Sequence, residues 1–383
     1  MAIHYITENN DLQKLTSDLH QTKEFAIDLE FDRNRYRYGF NMCLMQIYGG
    51  NDCYLVDPLS DDLDINTIFP VIENPEVQKV VFAFGEDLRL LHSLGCFPKN
   101  LYDLDAATSL LNYEPASLTN LIKEVLDVKV NSSSQQSNWW KRPLSENQKQ
   151  YAADDVIYLL DFKAKLNQQA EKRGILDWIK QENDVFEHLD YSDEDHNNLI
   201  KEKDKNNLSV FEWFVYCQLM DFFDEKAREL NKPMYHLANK RIVSELAQNP
   251  DKVHNWKQTK GVYGQIKNDN FKSQLQSVVD SAIHEAKEQD LSTSRKASDT
   301  MTGEEYRAMR NEQNRINDLR NRLLSPIQDR LVTDFGKHAK SFILPNRLTK
   351  EIIAGETELM PDYKVKLLRR YAEELDLDLS DYV

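Results

Sequence analysis

Asp28 and Glu30 stand in the stretch Phe25-Ala26-Ile27-Asp28-Leu29-Glu30-Phe31. On a strand, Phe25, Ile27, Leu29 and Phe31 share one face and the two acids the other. Neighbouring carboxylates on an apolar strand are costly to bury unless a cation compensates them. A divalent metal at a strand end is one solution, and an exposed polar face on an edge strand is the other. Three more residues have the right types. Asp87 lies in Gly85-Glu86-Asp87-Leu88, and Tyr151 precedes Asp155 by four residues. On a helix Tyr151 and Asp155 face the same way, while Asp154 points about 100° aside. Such a pair is also ordinary on a solvated helix surface. Hard divalent ions favour carboxylate oxygen, so the chemistry open to this set is that of a bound ion.

The elements that must position these residues can be read in order. Residues 43–48 and 53–57 are apolar runs around the turn-forming Gly49-Gly50-Asn51-Asp52, and with the opening strand they predict an antiparallel meander. Lys79–Phe84 predicts a buried strand, Glu86–Leu94 a helix that Gly95 can cap, and Leu104–Leu111 and Leu118–Leu126 two more. After a loop rich in Ser and Gln, Ser145 and Gln148 form a helix-start pattern, and the helix they open is expected to run well past Leu160. This order of strands and helices indicates an α/β layer domain.

A chain of 383 residues exceeds one ordinary domain. It has no apolar run of about 18 residues and no basic-then-apolar start, so a cytoplasmic protein without a membrane span is expected. Cys43, Cys53, Cys96 and Cys217 are scattered, which argues against a structural zinc or a disulfide framework. The net charge of −16 opposes nucleic-acid binding until its distribution is considered. Residues 1–200 hold 34 acids and 18 bases, whereas residues 201–383 hold 30 of each.

Asp28-x-Glu30, Asp87 and Tyr151-x-x-x-Asp155 together resemble the motifs of the DEDD 3′-to-5′ exonucleases, in the tyrosine-bearing subgroup. Leu44-Met45-Gln46, Val56-Asp57-Pro58, Leu101-Tyr102-Asp103, and Trp139-x-x-Arg142-Pro143-Leu144 before Tyr151-Ala152-Ala153 are similar to ribonuclease D over roughly residues 1–175. The resemblance implies a ribonuclease H-like α/β exonuclease domain, a mixed sheet flanked by helices, and two Mg2+ or Mn2+ ions with no organic cofactor. It implies that Asp28 bridges both ions, Glu30 and Asp155 complete one site, and Asp87 supports the other. Tyr151 would orient the water. Two ions can both activate that water and stabilise the departing 3′ oxygen, releasing a 5′-mononucleotide. A phenol that titrates near 10 suits positioning better than full base catalysis.

Two departures from the family pattern stand out: Phe82 replaces a common His, and Asn138 a common Asp. Neither is a proposed ligand, so they bear on substrate contacts more than on catalysis. Asp103 and Asp105 are candidates for supporting the ligands, or are acids at a solvated helix start. His92, in a leucine-rich helix, reads as structural.

The region 207–289 resembles an HRDC domain through Phe214–Ala227, Asn231-Lys232-Pro233 and Leu246-Ala247-x-x-Pro250. Within it Trp256, Lys257, Lys260, Tyr263 and Lys267 interleave bases and aromatics, suiting contact with a single strand, or are lysines around core aromatics. Between Arg307 and Lys350 ten Lys or Arg meet four acids, and the helix with Lys364, Lys366, Arg369 and Arg370 follows. This segment either adds to a phosphate-tracking surface or only packs. The expected layout is therefore an exonuclease domain at 1–185, an acidic linker at 186–206, the HRDC-like domain at 207–289, a linker at 290–302 and a second helical, HRDC-like domain at 303–383. The expected activity is trimming of RNA 3′ ends, with tRNA precursors the family's usual substrates. A DNA-directed exonuclease and a catalytically silent RNA-binding scaffold are the alternatives.

Overall fold

The alternation around Asp28 produces a strand that lies inside the sheet. The computed structural model describes residues 1–130, 137–193, 199–295, 303–355, 360–380 and 382. Residues 131–136 of the Ser/Gln-rich loop, 194–198 of the acidic linker and 296–302 of the second linker lie outside these.

Six strands form one sheet: β1 (Ile3–Ile6), β2 (Glu24–Arg33), β3 (Phe40–Tyr48), β4 (Cys53–Val56), β5 (Gln78–Val81) and β6 (Leu101–Asp103). Their order is β1-β4-β3-β2-β5-β6. β3 and β4 pair antiparallel around the predicted turn, but β1–β4, β2–β5 and β5–β6 are parallel. The sheet is thus mixed and wider than the expected meander. β1, β6 and α1 (Asn9–Leu19) add to the predicted elements, being too short or too weakly patterned to stand out in the sequence. Because β2 sits between β3 and β5, the edge-strand reading of its acids fails.

The helices of this layer are α1, α2 (Phe69–Ile72), α3 (Gly85–Ser93), α4 (Leu104–Leu110), α5 (Leu118–Leu126), α6 (Glu146–Ile157), α7 (Leu159–Arg173) and α8 (Leu176–Asp184). α6 starts at the Ser145–Gln148 capping box but stops at Ile157, short of the predicted length. α6 packs on β4 whereas α7 packs on β5, α4 and α5, so a break at Tyr158 lets the chain cover both regions.

The chain forms two compact units. One comprises Met1–Glu30, Met42–Glu194 and Glu304–Val383; the other comprises Phe31–Asn41 and Asp195–Gly303. The second unit contains α9 (Val210–Glu229), α10 (Met234–Leu237), α11 (Lys240–Gln248) and α12 (Asp269–Glu288), closed around Tyr216, Phe223, Trp256 and Leu275. The last segment contributes α13 (Gly303–Leu319), α14 (Ser325–Phe335), α15 (Lys337–Ile343), α16 (Asn346–Ala354) and α17 (Asp362–Glu374) to the sheet-bearing unit, whereas the sequence predicts a separate third domain. The reason is packing. Ile327, Leu331, Leu367 and Tyr371 join the core that contains Ala107, Leu110 and Phe162, so these apolar faces close on the helices that flank the sheet as well as on one another.

Asn112 joins the two parts of that unit directly. Its Oδ1 accepts the backbone N–H groups of His338 (2.8 Å) and Ala339 (3.2 Å), capping α15. Trp178 stacks on Tyr363 with ring centroids 4.7 Å apart. Glu182 pairs with the buried Lys364 at 2.9 Å and accepts the Tyr363 hydroxyl. Lys364 is therefore part of this packing and not of a phosphate-tracking surface.

Candidate metal centre

β2, α3 and α6 each deliver acids to one place. Asp28 and Glu30 come from the acidic face of β2, and Asp155 from α6 one turn after Tyr151. Asp28, Glu30 and Asp155 each offer a carboxylate oxygen, and these oxygens lie within 4.8 Å of one another. Asp87, in the first turn of α3, is 8% exposed, and its Oδ1 is buried without a hydrogen-bond partner. It acts electrostatically on Glu30, and Asp28 acts on it.

Crowding four acids raises their affinity for protons. Burial pushes Asp28 up to about 7. Burial, with Asp28 beside it, pushes Asp155 up to about 8, although a hydrogen bond from Tyr151 opposes the rise. Glu30 is held well above the usual carboxylate range by burial and by Asp28, Asp155 and Asp87. Asp87 is raised by burial and by Asp28. Burial and the acids Asp155, Glu30 and Asp28 keep the Tyr151 phenol protonated. A divalent cation would relieve this repulsion and satisfy the orphaned oxygen of Asp87, and the all-carboxylate donor set fits a hard ion.

Supporting contacts orient the acids. The Asp103 carboxylate accepts the backbone N–H groups of Ala83 (2.7 Å) and Phe84 (2.9 Å), which form the turn into α3, and that of Asp105 (2.9 Å), which starts α4. Ala83 has φ +53°, a left-handed conformation that costs a residue with a Cβ about 1 kcal/mol. Asp103 thus both caps a helix and holds the turn that presents Asp87.

Arg142 does the equivalent for α6. Its Nε and Nη2 each donate to Asp57 at 2.6 Å, Nη2 also donates to the Cys43 carbonyl (2.7 Å), and Nη1 donates to the carbonyls of Trp139 (2.6 Å) and Lys141 (3.1 Å). Tyr5 adds its hydroxyl to Asp57. Burial works against the Asp57 charge, but Arg142 and Tyr5 outweigh it and hold the carboxyl below its ordinary range. The clamp ties the loop before α6 to β1, β3 and the end of β4, and the Trp139 ring lies 6.2 Å from that of Tyr151. The motif residues are visible in the sequence; their mutual contact is not.

Other predicted residues fall elsewhere. Trp256 is fully buried, donates Nε1–H to the Ile266 carbonyl at 2.7 Å and stacks on Phe271, so it is a core residue and offers no stacking platform. Its neighbouring lysines mislead because core aromatics on short helices sit among solvated lysines in the same pattern. Lys257 pairs with Asp269 at 2.7 Å, Tyr263 is half-buried against the core, Lys267 is half-buried and Lys260 is exposed. His92 is buried and its Nδ1 accepts the Tyr191 backbone N–H at 3.1 Å, while burial lowers its proton affinity. Phe82 packs against the core, and the Asn138 side chain accepts the Trp140 N–H at 3.1 Å.

The family described as 3′-5′ exonuclease matches residues 3–171. Ribonuclease D of Bartonella henselae is 28% identical over 292 residues, covering 75% of this chain and 70% of that protein. Ribonuclease D of Zymomonas mobilis subsp. mobilis is 32% identical over 186 residues, covering 48% of this chain and 47% of that protein. The catalytic core of RRP6 from Trypanosoma brucei superposes with a TM-score of 0.63 at 25% identity, covering 74% of this chain and 80% of that one. Escherichia coli RNase D shares the fold, with a TM-score of 0.66 at 22% identity over 98% of this chain and 99% of that one. Among the described residues no helix is long and apolar enough to cross a membrane. With four acids and a tyrosine gathered on this fold, residues 3–171 form a domain of the 3′-5′ exonuclease kind, and the chain is similar over it to ribonuclease D.

Proposed function

We propose that the protein trims RNA from the 3′ end, one nucleotide at a time, with tRNA precursors as the substrate class. The observation that carries this reading is the meeting of Asp28, Glu30 and Asp155 beside Asp87. Two Mg2+ or Mn2+ ions would be held there, Asp28 serving both, Glu30 and Asp155 one, and Asp87 the other. When bound, such ions activate water and stabilise the leaving 3′ oxygen. Tyr151, kept protonated and hydrogen-bonded to Asp155, orients the attacking water and does not serve as a full base. The product is a 5′-mononucleotide.

Residues 1–185 would carry the chemistry and the HRDC-like residues 207–289 would bind RNA. The names of the ribonuclease D relatives support RNA over DNA. The four cysteines are free thiols, which fits a reducing compartment, and we place the activity in the cytoplasm.

The test uses RNA and DNA single strands labelled at the 5′ end, with magnesium, with a chelator, and with Asp28→Asn and Asp155→Asn proteins. A shortening ladder on RNA, lost with the chelator and in both variants, is expected. RNA bound tightly but left intact would replace this reading with a silent scaffold, and much faster shortening of DNA would replace it with a DNA exonuclease.

A further inference from the structure

The turn between β2 and β3 carries Arg33-Asn34-Arg35-Tyr36-Arg37-Tyr38, directly after Glu30-Phe31-Asp32, in a chain whose net charge is −16. Asp32 is 4% exposed, and its carboxylate accepts backbone N–H groups from Arg35 (3.0 Å), Tyr36 (3.1 Å) and Arg37 (2.9 Å). Asn34 Oδ1 accepts the Gly39 N–H at 2.8 Å. The backbone is thereby set so that Arg33, Arg35 and Arg37 are exposed while Asn34, Tyr36 and Tyr38 are half-buried. Guanidinium groups lie over Phe40 (Arg33, 5.1 Å) and Tyr36 (Arg35, 5.2 Å), which restricts their orientation.

The turn is fastened to helices of its own unit. The Tyr38 hydroxyl donates to Asp224 at 2.7 Å, and Arg228 lies 5.6 Å over the Tyr38 ring with its side chain 71% exposed. Tyr235 donates its hydroxyl to the Arg35 carbonyl at 3.2 Å, yet 54% of the residue remains exposed. Four cations and an open aromatic ring are thus held on one fixed stretch of surface.

We propose that Arg33, Arg35, Arg37 and Arg228 with Tyr235 form a binding site for single-stranded RNA. The arginines would meet successive phosphates and Tyr235 would stack on a base. Arginine matches phosphate geometry through paired donors, and an open tyrosine beside such cations is the combination that holds single strands without sequence preference. The site rests on the RNA reading above and adds to it a surface that the 256–267 stretch, with Trp256 in the core, does not supply.

The test measures fluorescence anisotropy of a labelled single-stranded RNA over a range of salt, in the full chain carrying Asp155→Asn. Replacing Arg33, Arg35 and Arg37 together by Gln is expected to weaken binding about tenfold or more and to reduce the slope of log affinity against log salt by about two to three. Tyr235→Ala is expected to weaken binding about tenfold, whereas Tyr235→Phe, which lacks only the hydroxyl, retains it. Unfolding midpoints of all variants show whether the fold persists, and the triple Lys replacement, which keeps the charge, is expected to keep the salt slope.

Equal affinity and slope in the folded Gln variant would overturn the proposal, as would displacement of RNA by polyglutamate at equal charge concentration. If the unmodified protein shortens RNA and only the variant result fails, the proposal alone falls. If it neither binds nor shortens RNA, the functional reading falls first.

Discussion

Asp28 and Asp155 hold protons more tightly in the folded chain than an unfolded chain would, and the sign of the pH dependence follows. Their stabilising protonation is fully present below the ordinary carboxylate value of 3.8 and is lost as pH rises through about 7 for Asp28 and about 8 for Asp155. Metal-free protein is therefore expected to melt at progressively lower temperature from about pH 4 to about pH 8. Asp155→Asn, which removes one of the repelling charges, is expected to raise the metal-free stability at the alkaline end by roughly 1–3 kcal/mol while abolishing activity. Melting curves in a chelator check both; a flat profile would contradict the crowding of acids. Tyr151→Phe is expected to lower kcat about a hundredfold with metal affinity retained, measured by single-turnover cleavage and metal titration. At this scale the sequence is informative, because metal ligands are limited to few residue types at set spacings. Trp256 defeats the same reasoning, since an aromatic beside lysines looks alike in the sequence whether it faces solvent or the core.

At the scale of elements, the acids depend on how α3 and α6 are held. Arg142→Gln leaves Asp57, 4% exposed, without its charged partner, and is expected to cost about 3 kcal/mol in urea unfolding. Asp57→Asn should cost less, since Asn keeps a neutral acceptor in place. Gly336 is a second such point. It has φ +96°, and a Cβ there would lie 2.3–2.4 Å from the side-chain atoms of Asn112. Gly336→Ala is expected to destabilise by about 1–3 kcal/mol, and Asn112→Ala in the same chain should recover the steric part while losing the cap on α15. The strand and helix patterns are legible wherever an apolar period of two or of 3.6 runs long enough, as in β2, β3 and α9. The short β1 and β6 are not. Neither are contacts such as Tyr5–Asp57–Arg142, whose members are far apart in sequence and meet only through the sheet order.

At the scale of the whole molecule, the charge asymmetry and the change from mixed to purely helical pattern are visible in the sequence, but the assignment of the last segment to the sheet-bearing unit is not. Its apolar faces have a helical period whether they close on themselves or on a neighbour, and contacts made in the folded chain, such as the shared core, the capping by Asn112 and the pairing of Lys364 with Glu182, show which. Under the function proposed above, the acids around Asp28 would hold two divalent ions. A titration of Mn2+ followed by electron paramagnetic resonance counts them directly in the full chain. Two bound ions in the unmodified protein, and loss of both in an Asp28→Asn protein that retains its melting transition, is the predicted result. Unchanged Mn2+ binding in that variant would show that Asp28 is not a ligand of either ion.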